Sequence, residues 1–322
     1  FYSEYGFQSF AGAETLLQFA RDTSGLDAGS EMVMFHQRGG TMANQRIMNK
    51  LADEYKRPSS FGESIYLSQI AQGDIIRRPI ESHRRDKPLC WGSLVWQIND
   101  CWPVASWSGR DWYGNWKPLH YYMRDAFRDI LPSAVVNDGE VDVWLVSDRM
   151  QAVSGVLDIF IEDFEGRQAY HRSRRCKLPA NSSQQLGSID LAGLGVAPER
   201  HFVRLAFTLA DGEVYTNMRL LSSVRDARLP KSRITTDVTP VNGGFNVSVS
   251  SDCFARGVFL NVSGGMLRTD ASGKALPGTC SARNFSDNYF DLPAGTCRTV
   301  FFPSEMSPEE FGKRLTVTCL TK

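Results

Sequence analysis

The sequence predicts an α/β unit over residues 1–130 followed by two all-β sandwiches, over 131–230 and 231–322. Three observations carry this reading. Up to about residue 130, strand-like apolar runs alternate with segments of helical periodicity, the pattern of strands and helices layered on a parallel sheet. After Pro132, short alternating or continuous apolar runs recur between polar turns, which is the texture of a β-sandwich. Around Arg228-Leu229-Pro230-Lys231 that rhythm pauses, and it resumes from Ile234 to Thr318.

Taken in order, Phe1 to Ser3 reads as the end of a strand running into Glu4. Ile47, Met48, Leu51, Ala52 and Tyr55 form a helical stripe across Thr41–Tyr55, opened by Gly39-Gly40 and closed before Pro58. Ser60 and Glu63 have capping-box spacing, which starts a second helix reaching to about Ile76. Leu89–Trp96 is a continuous apolar run around Gly92 and predicts a strand buried on both faces. Lys117–Phe127 reads as one more helix. Val141–Val146 and Gly155–Ile161 read as sandwich strands, with turns at Asp163–Gly166 and Asp211-Gly212.

The 322 residues suffice for two or three domains. With 42% hydrophobic and 22% charged residues the chain has enough apolar surface to fold, which excludes a disordered tail. Its 36 basic and 36 acidic side chains cancel, so neither nucleic acid nor an anionic membrane is expected as a partner. No apolar stretch approaches the ~20 residues that span a bilayer. The start, Phe1-Tyr2-Ser3-Glu4, has neither an initiator methionine nor the layout of a signal peptide, so a longer parent chain is expected.

Seven cysteines show no C-x-x-C spacing. Cys253, Cys280, Cys297 and Cys319 crowd toward the C-terminal end, where disulfides are plausible. Asn181, Asn246, Asn261 and Asn284 stand in N-x-S sequons. Strand alternation puts Asn246 with Ser248, and Asn261 with Ser263, on the solvent side of their strands. His36, His83 and His120 lack metal-ligand spacing, and there is no phosphate loop or G-x-S-x-G elbow. No metal and no cofactor are expected.

Six of the seven tryptophans lie between Trp91 and Trp116: Trp91, Trp96, Trp102, Trp107, Trp112 and Trp116. A buried seam is the ordinary explanation for such a cluster. Here, however, Asn99, Asp100, Ser106, Gly109 and Asp111 are interleaved with the rings. Flat apolar faces beside a few placed polar groups suit a sugar, whose C–H face stacks on indole. Glu4 stands where an apolar strand ends, the place where barrel enzymes carry catalytic side chains.

Four ordered motifs then resemble β-mannosidases of glycoside hydrolase family 2. They are Ser3-Glu4-Tyr5-Gly6-Phe7-Gln8-Ser9, Tyr66-Leu67-Ser68-Gln69, Glu81-x-His83-Arg84-Arg85, and Gly92-Ser93-Leu94-Val95-Trp96-Gln97-Ile98-Asn99-Asp100-Cys101-Trp102-Pro103. The run from Ser106-Trp107-Ser108 to Trp116-Lys117 continues the likeness, and Phe285-Ser286-Asp287-Asn288-Tyr289-Phe290 resembles the tail of the animal enzyme. The resemblance implies the C-terminal end of a (β/α)8 TIM barrel followed by two immunoglobulin-like β-sandwich domains. It implies that Glu4 is the nucleophile of a retaining exo-glycosidase that removes terminal non-reducing β-D-mannose. Trp96 would be the platform beneath the sugar, with Asn99, Asp100 and Trp102 shaping the pocket. The expected partners are a β-mannoside oligosaccharide and upstream domains of the same protein, in a lysosomal or secreted glycoprotein.

One departure stands out. The family's acid/base is a Glu following Asn upstream of the nucleophile, and no Asn-Glu dipeptide occurs in these 322 residues. The chain alone is therefore expected to be inactive. A β-glucosaminidase or β-galactosidase of the same family, or a non-catalytic carbohydrate-binding protein, is the alternative reading. The Trp96–Pro103 motif favours the mannosidase.

Overall fold

A computed structural model describes residues 1–20, 25–137, 139–272, 274–276 and 282–320. Strand β1 (Tyr2–Tyr5) pairs in parallel with β2 (Ser93–Val95), Tyr2 lying opposite Ser93 and Tyr5 opposite Val95 with an irregularity between. The chain between them forms α1 (Ala13–Leu16), α2 (Glu31–Phe35), α3 (Ala43–Glu54) and the long α4 (Phe61–Arg85), and α5 (Pro118–Ala126) follows β2. A parallel pair needs such a crossover, because its strands run the same way and a tight turn cannot join them.

Helix α4 begins as its spacing predicts: Ser60 Oγ accepts from the Glu63 amide at 3.1 Å. Burial works against ionisation of Glu63, but Lys56 and Ser59 together hold its carboxyl at about 2. The helix does not stop near Ile76. It runs on through Pro79 to Arg85, because Asp74, Glu81 and Arg84, which look like a solvated end in the sequence, are buried. Gly73 lets α5 approach closely, since a Cβ there would lie 2.6 Å from the Tyr122 ring.

The run Leu89–Trp96 departs from expectation as well. Only Ser93–Val95 are strand, and Leu89, Trp91, Leu94 and Trp96 are exposed. Among the described residues, one face of the β1–β2 pair packs on helices and nothing covers the other.

The first sandwich has two antiparallel sheets. One is ordered β3-β4-β7, from Ile130–Asn137, Glu140–Ser147 and Ser182–Asp190; the other is β6-β5-β8-β9, from Gln168–Leu178, Val153–Asp163, His201–Leu209 and Val214–Leu220. Alternate residues such as Val141, Val143 and Leu145 face Leu157, Ile159 and Ile161 across its core. The second sandwich sets β10-β11-β14 (Ile234–Val241, Gly244–Ser251, Cys297–Pro303) against β13-β12-β15 (Phe290–Leu292, Ala255–Val262, Leu315–Leu320), with α6 (Pro308–Arg314) before the last strand.

A third core joins everything. Phe10, Ile65 and Ile70 of the helical unit, Phe164 and Phe202 of the first sandwich, and Phe254 and Tyr289 of the second belong to one buried cluster. The Phe285–Phe290 motif is a docking segment in it. The Tyr121 hydroxyl donates to the Phe285 carbonyl at 3.0 Å and the Tyr122 hydroxyl to the Tyr289 carbonyl at 2.8 Å. The Asn288 amide clamps both backbone groups of Leu260.

The sequons differ in setting. Asn246 lies on the outer face of β11, away from the core residues Phe245 and Val247. Asn261 also points out of its sandwich, but that face lies against the helical unit, and Asn261 lines a cleft with Tyr66 and Phe259. It is not on an open solvent face. Asn284 accepts from the Trp116 amide and donates to the Gly114 carbonyl, and the Asn181 carbonyl oxygen accepts from Lys87. The described cysteines are all free thiols, and Cys280 lies outside the described residues. No described helix is long and apolar enough to cross a membrane.

One buried ion triad ties α4 to the second sandwich. Arg256 donates to Asp74 at 2.5 Å and also pairs with Asp291, while the Tyr55 hydroxyl donates to Asp74 at 2.7 Å. Burial pushes the Asp74 carboxyl up, but Arg256 outweighs it and holds the group below its ordinary value. Because this folded-state pKa lies under the unfolded one, the contribution of Asp74 is complete above about pH 4–5 and is lost as pH falls through the folded pKa. Arg256→Met leaves two buried carboxylates unpaired and should cost about 3–5 kcal/mol at neutral pH, measured by denaturant unfolding. A loss within experimental error of zero would show that the triad does not hold the domains together.

Candidate functional site

Glu4 and Trp96 lie at the ends of neighbouring strands. The Trp96 amide donates to the Tyr5 carbonyl at 2.9 Å, extending the ladder one step past β2. Tyr5 and Val95 pack toward Ile76 and Ile80 of α4. Glu4 and Trp96 are the sequence neighbours of those two residues, so their side chains take the opposite, open side, and the irregularity between Tyr2 and Tyr5 lets Tyr2 lie on the helix side with Tyr5. Glu4 and Trp96 are both exposed there, Trp96 to 46%. Gly6 is what allows the strand ends to converge: a Cβ at that position would lie 2.2 Å from the Trp96 carbonyl oxygen. The peptide bond between Trp96 and Gln97 is cis.

Behind the open face, His83 of α4 supports both strands. Its ring stacks on Tyr2 with centroids 3.5 Å apart, and its Nδ1 lies 2.8 Å from Ser93 Oγ, which also meets the Tyr5 hydroxyl at 2.5 Å. Burial lowers the His83 pKa, favouring the neutral ring.

The loop after Trp96 is held by Asp100. This carboxylate is 2% exposed and accepts from Ser106 Oγ at 2.5 Å and from Ser108 Oγ at 2.7 Å. Ser106 in turn exchanges both backbone hydrogen bonds with Ser9. Gln72 of α4 accepts from Ser9 Oγ at 2.7 Å and donates to the Phe7 carbonyl at 2.8 Å. Asp100 is thus bonded within the protein, whereas the Asn99 side chain is exposed and, among the described residues, donates to the Asp100 carbonyl at 3.2 Å.

Trp102 stands in a separate aromatic wall. Its ring lies 5.0 Å from His36 and 6.0 Å from Phe35, and Phe19 stacks on His36 at 3.6 Å. The Nδ1 of His36 lies 2.6 Å from the Pro103 carbonyl oxygen, which pins the loop to α2. Phe19 and Phe35 were not singled out by the sequence, since isolated phenylalanines in a helix-rich region carry no pattern. Among the described residues no cluster of His, Cys, Asp and Glu is arranged to hold a metal ion.

Three comparisons with known proteins place the chain among relatives. Residues 139–226 match the Mannosidase Ig/CBM-like domain and residues 229–322 an Ig-fold domain of the mannosidase type. The β-mannosidase of Capra hircus is 26% identical across 94% of this chain, and β-mannosidase A of Aspergillus niger is 27% identical across 75%. Among solved structures, the β-D-mannosidase of Dictyoglomus thermophilum superposes over 98% of this chain with a TM-score of 0.83 and 27% identity. The chain resembles the β-mannosidases along nearly all of its length. It spans about a third of theirs: 35% of the goat protein and 37% of the bacterial one. Its two sandwiches are immunoglobulin-like domains.

One buried cation belongs to the same network. Lys117 donates to Ser9 Oγ at 2.9 Å and is 2% exposed. Burial lowers its pKa to about 8, although Asp100 and Asp111 act in the opposite direction. A lysine charges near 10.4 in the unfolded chain, so between about pH 8 and 10 the unfolded state binds more protons and stability rises with pH. Lys117→Met should remove that rise. Denaturant midpoints measured from pH 7 to 10 check this, and an unchanged slope in the variant would mean that Lys117 does not titrate in the folded protein.

Proposed function

We propose that the protein is a retaining exo-β-mannosidase of glycoside hydrolase family 2, with Glu4 as nucleophile and Trp96 as the platform under the terminal mannose. The observation that carries the reading is the open face at the ends of two parallel strands, where a carboxylate and an indole are both exposed on neighbouring strands. An indole offers a flat apolar surface to the C–H face of the sugar, and the neighbouring carboxylate reaches the anomeric carbon. Attack by Glu4 at C1 expels the aglycone and leaves a mannosyl ester, which water then cleaves.

We further propose that residues 1–130 form the end of a (β/α)8 barrel, with β1 and β2 as its last two staves. The arrangement of faces favours it. Tyr5 and Val95 pack on helices, as outward barrel residues do, while Glu4, Leu94 and Trp96 face the side that a barrel interior would occupy. Retention needs a second carboxyl ~5–5.5 Å from the first to act as acid and then as base. Because no Asn-Glu dipeptide is present, we assign that group to a part of the protein outside this sequence and expect these 322 residues alone to be inactive.

In this proposal Asn99 and Trp102 shape the outer pocket, and Asp100 shapes it indirectly by fixing the loop. The setting is lysosomal or secreted, and Asn246, on an open sheet face, is the favoured glycosylation position. No cofactor is required.

In the full-length enzyme, Glu4→Gln should lower turnover of an aryl β-mannoside by at least about 10³-fold with no change in melting temperature, because an amide cannot displace the leaving group. Trp96→Ala should raise KM and lower kcat together. Near-normal turnover by the Glu4 variant removes it from the nucleophile role, and loss of soluble protein in the Trp96 variant would make that ring a packing residue.

A further inference from the structure

Helix α4 has a second charged side, facing away from β1 and β2. There it meets both sandwiches around a cavity of about 310 Å³. The walls come from Asp74, Arg77, Arg78 and Glu81 of α4, from Asn217 to Val224 at the end of β9, and from Arg256 and Asp291 of the second sandwich. Four guanidinium groups line it against three carboxylates.

The three carboxylates are already committed. Glu81 accepts from Arg77 Nε at 2.8 Å and from Ser133 Oγ at 2.9 Å, while Asp74 and Asp291 share the two terminal nitrogens of Arg256. The surplus donors are on the other side of the ledger. Arg78 and Arg219 form no direct ion pair with any described carboxylate, although Asp74 and Glu81 lie near enough to feel their charge; among the described residues Arg219 donates to the Ala134 carbonyl, at 3.3 Å. Arg256, 8% exposed, has both terminal nitrogens on carboxylates and its Nε enclosed, so it adds charge to the wall but no accessible donor. Arginine forks are the side chains best matched to tetrahedral oxyanions.

We infer that this three-way junction is a binding site for a small oxyanion of the phosphate class, held by Arg78 and Arg219 beside the carboxylate-paired guanidinium of Arg256. The ligand bridges the helical unit and the first immunoglobulin-like domain, against the wall that the second supplies, and stabilises their mutual arrangement. The volume falls at the lower end of ordinary ligand pockets (roughly 300–1,000 Å³), more than a bare phosphate fills, so a phosphomonoester with a sugar-sized body also fits. The site is separate from the face that carries Glu4 and Trp96, and it does not depend on their assignment.

The test is thermal unfolding of the full-length protein in sodium phosphate against sodium chloride of matched ionic strength, with glucose 6-phosphate and glucose as further arms. Phosphate should raise the melting temperature saturably, by roughly 2–4 °C or more once the site is filled. Half-saturation at a lower concentration of glucose 6-phosphate than of phosphate identifies a phosphomonoester ligand, and equal half-saturation identifies the free anion; glucose alone should do nothing. Arg78→Gln, at an exposed position that should fold normally, and Arg219→Gln should each abolish the shift or move half-saturation at least tenfold higher. A shift no larger than that of chloride, or one unchanged in either variant, overturns the site.

Discussion

The buried side of helix α4 is polar, and that constraint organises the rest of the molecule. Ser68, Gln69, Gln72, Asp74, Glu81 and Arg84 are all withdrawn from water. Each donor or acceptor must find a partner in the protein or carry its full desolvation penalty. The partners lie in three different places. Gln72 and Ser68 reach the segment after β1, Glu81 reaches Ser133 and Asn217 of the first sandwich, and Asp74 reaches Arg256 of the second. An apolar helix face could slide against its neighbours, but directional bonds of this kind fix one register. The same helix therefore sets the position of the strand ends that carry Glu4 and Trp96 and the docking of two domains far along the chain.

Much of this was legible in the sequence, for stated reasons. The sandwich strands announce themselves because one face is buried and the other solvated, so Val141, Val143 and Leu145 alternate with polar neighbours. The N-terminus of α4 was legible because a capping box is a local device. Its C-terminus was not, because Asp74, Arg77 and Glu81 look solvent-facing until tertiary partners neutralise them. The run Leu89–Trp96 misleads in the opposite way. It is apolar enough for a doubly buried strand, yet Leu94 and Trp96 lie on a face that no described residue covers, and Leu89 and Trp91 are exposed ahead of the strand.

The candidate site divides along the same line. Glu4 and Trp96 were readable as positions at strand ends, and the structure places them on one face. The part played by Asp100 was not readable, because an acidic residue among rings suggests a ligand contact as readily as a loop anchor. Its bonds to Ser106 and Ser108 involve residues whose nearness follows only from the fold. The wall formed by Phe19, His36, Phe35 and Trp102 is likewise assembled from segments far apart in sequence. The concentration of tryptophan between Trp91 and Trp116 thus has more than one cause: Trp96 is open to solvent, Trp102 joins an aromatic wall, and Trp116 packs against the core shared by the helical unit and the sandwiches.

The central claim is that Glu4 forms a covalent bond to the anomeric carbon. A 2-deoxy-2-fluoro-β-mannoside with a good leaving group tests it most directly, because the fluorine slows both steps while the leaving group keeps the first fast enough for the intermediate to accumulate. Full-length enzyme inactivated by this reagent should gain one fluoromannosyl group, and peptide mapping should place it on Glu4. A label on any other carboxylate, or inactivation without a covalent adduct, would contradict the account.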